Sequence, residues 1–193
     1  MPAKRRVPSD EYSIFETLRA KGVAVPPFAT AVSEVGSVGI PAVLVARNAG
    51  GAHARTMLVH YEDIVPALAH ALRTSPRFFM QRHSRGYEVA CGVMMHGKKI
   101  LSLVPVDAIP RALHESGAWH MKSAVVDAIQ HVAKAAHMAM GAKTHSCVRL
   151  AVEGSTPYVT GVVIAPPLTR TGLFMRSAEL AGLTEEEIKE SII

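Results

Sequence analysis

Apolar residues recur along this chain at two spacings, and the switches between them predict the order of elements. In EYSIFETLRAK, residues 11 to 21, Ile14, Phe15 and Leu18 fall on one helical face, with Asp10 as a cap before them and Gly22 as a stop after them. Residues 23 to 32 run extended through Pro26-Pro27, and PAVLVA, residues 41 to 46, is a continuous apolar run suited to a strand buried on both faces. The loop RNAGGAHAR follows, TMLVH (56 to 60) returns from it as a strand, and EDIVPALAHALRT (62 to 74) places Ile64, Leu68 and Leu72 on one helical stripe. Pro66 is tolerated there because the first turn of a helix loses no amide bond to it.

RFFMQ, GYEVACGVMM and KILSLVPV are three more strands, the last two joined by His96-Gly97-Lys98, a tight turn that favours an antiparallel hairpin. Val125, Ile129, Val132, Ala136 and Met140 recur at three- and four-residue spacing, which makes 121 to 140 the longest helix, with Gly141 as its C-terminal cap. His131, Lys134 and His137 fall off that stripe and are expected to be solvated. SCVRLAVE and TPYVTGVVIA form a second hairpin around Gly154-Ser155. A short helix follows Gly172, and another starts at Thr184 with Glu185 to Glu187 at its positive end. The pattern is α+β: antiparallel strands with flanking helices.

Composition narrows the class. A chain of 193 residues with 49% hydrophobic content suffices for one full core, split at most into two lobes. Apolar stretches are broken well before the roughly 18 residues that a membrane span requires, and no hydrophobic signal core follows Lys4-Arg5-Arg6, so a cytoplasmic protein without a membrane partner is expected. Cys91 and Cys147, the two cysteines, lie inside apolar runs and read as buried free thiols. The net charge of +5 is spread over dispersed cations, and no aromatic residues interleave the basic arm as base stacking would need, so nucleic acid is not supported as a partner. None of the ten histidines forms an H-x-x-x-H pair on a convincing helix face, and no metal site is expected from them. Ser146 and Ser155 have no neighbouring base in the sequence that would make them nucleophiles.

From about residue 12 to the end, the order of motifs resembles the ATP-grasp family, and within it the C-terminal two-thirds of bacterial D-alanine–D-alanine ligases. LRAKGVAVPPFATAV is similar to the family's entry into its nucleotide-binding subdomain, IPAVLVARNAGGAHA to its lysine strand and glycine loop, and RGYEVACGVM to its Gly-Arg-Glu strand. APPLTRTGLFMRSAELAGLTEEEIKESII matches, without a gap, the spacing of the ligases' Ser-Pro-Gly-Met-Thr loop, the helix after it and their Ala-Gly-Leu ending. The resemblance implies an ATP-grasp fold with two small antiparallel-sheet subdomains in a single domain over 1–193. About 22–85 is the smaller, nucleotide-lobe-like subdomain and about 86–193 the larger C-terminal one, and the ligases' N-terminal domain is absent.

The resemblance also implies where chemistry should sit, and the chain departs from it there. Aligned through Gly50-Gly51, the family's lysine falls on Ala46 and its proline on Arg47, and Ala52-His53-Ala54 replaces the serines of the glycine loop. The Arg-Val-Asp strand corresponds to Cys147, Val148 and Arg149, and the Glu-Val-Asn strand to Gly161, Val162 and Val163, so the positions that would hold magnesium carry no oxygen ligand. Gly172 takes the place of the serine in the helix-entry loop, and the loop that closes over substrates has no counterpart between Val106 and Trp119. Glu88 retains the glutamate that contacts the nucleotide ribose.

The expectation is therefore a degenerate ATP-grasp protein, a non-catalytic binding or assembly module with a protein partner or a second copy of itself. Its candidate nucleotide-binding residues are Arg47, Gly50, Gly51 and Glu88, joined by His53 and Arg55 as loop cations. No catalytic residue, no metal ligand and no resident cofactor is assigned; ATP stays open as a ligand and magnesium is not expected. The alternatives are one subunit of a split ATP-dependent D-alanine–D-alanine type ligase, or a magnesium-independent nucleotide binder.

Overall fold

The computed structural model describes residues 11–47, 53–75, 77–108 and 121–192. These form two compact units, one built on Pro26–Ser84 and the other on Ser13–Val25 with Arg85–Ile193.

In the smaller unit, β1 (Phe28–Ala29), β2 (Ala42–Arg47), β3 (His53–Leu58) and β4 (Phe78–Arg82) make an antiparallel sheet in the order β1-β4-β2-β3. Helix α2 (Ile64–Thr74) covers one face, where Leu68 and Ala71 pack with Ala42, Leu44, Ala46, Leu58 and Met80. The stripe expected through Leu72 is displaced: Ala71 is buried while Leu72 is 41% exposed. The helix meets the sheet along 64, 67, 68 and 71, and Leu72 lies one position, about 100°, off that line. The strands also run further than the apolar pattern indicated, since Arg47 still pairs with His53. Residues 48 to 52 of the expected loop lie outside the described residues.

The larger unit is a three-layer sandwich. Its strands are β5 (Tyr87–His96), β6 (Lys99–Ser102), β7 (Val106–Asp107), β8 (His145–Glu153) and β9 (Thr156–Ile164), in the order β6-β5-β8-β9 with β7 beside β5, all antiparallel. Gly97 and Gly154 take positive φ, 59° and 63°, at the two hairpin turns. KILSLVPV does not form one strand. It leaves β5 after Ser102, Leu103 donates its amide to Gly92, and Pro105, which has no N–H, precedes the short return as β7.

Helices α1 (Glu11–Ala20) and α3 (Ser123–Met140) cover one face of this sheet, and α4 (Leu173–Leu180) and α5 (Glu185–Ile192) lie on part of the other. The pleat explains the division: Val89, Cys91 and Val93 point with Val148, Leu150 and Val152 toward Leu18, Ile129, Ala133 and Ala136, while Ala90, Met94 and Cys147 point toward Phe174, Met175 and Ala178. Gly141 caps α3 at φ 67°, and Thr184 starts α5 in a capping box, accepting from the Glu187 amide while its own amide donates to the Glu187 carboxylate. No helix among the described residues is long and apolar enough to cross a membrane.

Candidate functional site

The strand register gathers the departing positions of the larger unit into one patch. Arg149 lies opposite Gly161 and Cys147 opposite Val163 on β8 and β9, and on the other side of β8 Arg149 faces Ala90 of β5, two residues from Glu88. Thr160 is an extra residue at a bulge in β9, where pairing jumps from Arg149–Gly161 to Leu150–Val159. The bulge keeps both Gly161 and Val159 on their proper faces, Val159 in the core and Gly161 on the patch.

Helices α4 and α5 cover the end of this face near Met94 and Cys147, and the Arg149 end stays open. Val163 is 49% exposed, and a Cβ placed on Gly161 would meet no atom within 4 Å. These residues therefore border open surface and form no packed groove. Ala46 does pack, but against α2 in the core of the smaller unit, and so it lines no groove either.

Glu88 is the second residue of β5, and its Oε2 accepts from Arg149 Nη2 at 3.2 Å. The two side chains are 31% and 48% exposed, so the pair is worth about 0–1 kcal/mol and is readily exchanged. It also sets the charge of the patch: the carboxylate there is matched by a guanidinium, and Arg149, Gly161 and Val163 supply no side-chain oxygen. Among the described residues no group of three or more His, Cys, Asp or Glu could hold a metal ion.

Of the other candidates, Arg47 ends β2 in the smaller unit, opposite His53 at the start of β3, and Arg55 pairs with Val45 further along the same ladder. Gly50 and Gly51 lie outside the described residues. Arg47 and Glu88 thus belong to different units, and the structure brings Glu88 together with Arg149, a partnership set by a register that single-strand patterns do not reveal.

Two buried groups escaped the sequence reading. Gln81 sits on β4 in register with Val43 and Phe28, on the face opposite α2, and its buried Nε2 has no hydrogen-bond partner. His137, expected in solvent, is 1% exposed, and its Nδ1 lies 2.8 Å from Ser146 Oγ. Burial, and then the nearby His145, holds its pKa below the ordinary imidazole value, and its Nε2 has no partner. Ala133 carried the missed signal, because together with Ala136 it widens the buried face of α3 until position 137 lies inside it. Ser146 is fully buried, so the pair has no access to a substrate. Cys91 and Cys147 are buried free thiols on opposite faces of the sheet, as expected; burial pushes them up to about 12 and about 11.

No family model matches the chain. It is 22% identical over 179 residues to the D-alanine–D-alanine ligase of Leptospira interrogans serogroup Icterohaemorrhagiae serovar copenhageni, which covers 84% of this chain and 51% of the relative. It is 26% identical over 170 residues to that of Clostridium botulinum strain Loch Maree, covering 81% and 55%. The chain thus spans about half the length of these curated relatives. Among solved structures, the D-alanine–D-alanine ligase from Bacillus anthracis complexed with ATP superimposes with a TM-score of 0.72 at 18% identity, over 95% of this chain and 62% of that one. The ATP-grasp, D-alanine–D-alanine ligase-like relationship and the α+β ATP-grasp fold expected from the motif order are both present.

Proposed function

We propose that this ATP-grasp, ligase-like chain is a non-catalytic binding or assembly module of the cytoplasm, acting on a protein partner or a second copy of itself. The observation that carries the reading is the Glu88–Arg149 ion pair beside Gly161 and Val163. Magnesium demands close, nearly octahedral oxygen ligands, with at least one or two carboxylates among them. On this face the carboxylate is engaged by Arg149, and the neighbouring positions offer a cation, a hydrogen and a half-exposed isopropyl group. These residues do not fit the ion, and a fixed positive charge next to it would repel it.

Magnesium-independent nucleotide binding is a second reading, and one observation favours it. The Nε2 of Gln81 is buried without a partner among apolar neighbours, which suits a planar heterocycle that brings an acceptor. The solved ligase that superimposes on this chain is complexed with ATP. Arg47, Gly50 and Gly51 would then hold the nucleotide.

One pair of measurements tests these readings. With magnesium, ATP and D-alanine, phosphate release should stay at the buffer rate, and magnesium-dependent release would overturn the proposal. Raising the melting temperature with millimolar ATP in excess EDTA as much as in magnesium supports the nucleotide reading; no shift in either condition removes it.

A further inference from the structure

We propose that Arg149 is a metal-free receptor for a phosphoryl group and that Glu88 is its resting, displaceable occupant. The inference rests on the metal-free reading of this face. Arg149 gives one N–H, from Nη2, to Glu88 Oε2, whereas a guanidinium carries five in a planar fork. The rest of that fork is directed to no protein acceptor among the described residues, and the side chain is half exposed.

Space stands beside it. Directly across the strand pair is Gly161, where even a Cβ would touch nothing, and Val163 borders the same opening. β9 carries no carboxylate to repel an incoming anion. The opening beside the guanidinium is thus bordered by a residue with no side chain and by one with no charge.

Glu88 selects the class of ligand. It is tethered to the same sheet, so its effective concentration at Arg149 is on the order of millimolar or more. A free monocarboxylate offers the same charge and the same two oxygens, and it loses that competition. A phosphoryl group brings more charge and three oxygens to the fork, so it displaces Glu88 where acetate does not. Magnesium then acts against binding, because on the phosphate it cancels the charge that Arg149 needs.

Titrating the full chain with pyrophosphate in EDTA, followed through the Arg149 Nε–H resonance, tests this directly. The wild type should shift that resonance, Glu88→Gln should tighten pyrophosphate at least three-fold and allow acetate to bind, and excess magnesium should weaken pyrophosphate. Arg149→Gln should lose at least ten-fold in affinity with an unchanged circular dichroism spectrum. Wild-type affinity in Arg149→Gln, or stronger binding with magnesium, overturns the assignment. Either result leaves the absence of ligation to be judged by phosphate release from ATP.

Discussion

Lowering the pH should destabilise this protein through one buried imidazole. His137 is 1% exposed, with Ser146 Oγ on Nδ1 and nothing on Nε2. Protonation makes both ring nitrogens donors, so the folded state would hold an uncompensated charge and an orphan N–H. Its folded pKa is accordingly depressed, by burial first and by His145 second. An unfolded histidine titrates near 6.5, so below that pH the unfolded chain takes up a proton that the folded one refuses. The contribution of this group is complete above about pH 6.5 and is lost as pH falls toward the folded pKa. One proton limits the slope to about 1.4 kcal/mol per pH unit, or at most about 2 kcal/mol between pH 6.5 and 5. Urea unfolding by circular dichroism at pH 5.0, 5.5, 6.0, 6.5 and 7.5 measures it. His137→Asn keeps an amide near the Nδ1 position for Ser146 but cannot titrate, so it should be less stable at neutral pH and should lack this part of the acid slope. A variant with the full wild-type slope would show that other groups carry it and that the reasoning about His137 is wrong.

Other consequences of the packing are as direct. Ser177 Oγ accepts from the Gly92 amide at 2.9 Å and donates to the Val104 carbonyl at 2.6 Å, so Ser177→Ala strands buried backbone groups and should cost about 1–3 kcal/mol in urea unfolding. A Cβ at Gly86 would lie 2.1 Å from the Val152 carbonyl oxygen, a backbone atom that cannot rotate away, so Gly86→Ala should lower the melting temperature sharply, whereas Gly161→Ala should leave it unchanged. Cys91 and Cys147, buried and held above the usual thiol range, should react with neither equivalent of a thiol reagent at pH 8 in the folded protein and with both in denaturant. Rapid native labelling would contradict their placement.

The fold was legible because it depends on long periodic segments. The stripe through Ile129, Ala136 and Met140 with Gly141 behind it, the apolar run of β8, and the glycine turns at 97 and 154 each state one local preference that the tertiary structure keeps. Legibility failed where two segments decide a residue together. His137 looked solvated because the alanine at 133, which widens the buried face toward it, is a weak hydrophobic marker. Leu72 looked buried because only the angle at which α2 meets its sheet excludes it. The Glu88–Arg149 pair joins residues 61 apart in sequence, and only the β5–β8 register brings them together.

The candidate site and the core share the same strands but not the same side chains, and this separates what the fold can say from what it cannot. Along β8, Ser146, Val148, Leu150 and Val152 enter the layer under α3, while Arg149 stands on the open end of the opposite face. Residues 161 and 163 alternate in the same way with buried Val162. Replacing a core member changes volume in a close-packed layer, so those positions are constrained by packing. Replacing an exposed neighbour changes charge and donors at almost no structural cost. Identity near a fifth to a quarter with a TM-score of 0.72 reports on the first set and is nearly silent on the second. On the proposed reading, whether this sheet meets a metal-bound phosphate, a bare one or a protein surface turns on the few atoms around Arg149, where a guanidinium and an empty glycine position would suit an anion without a metal ion.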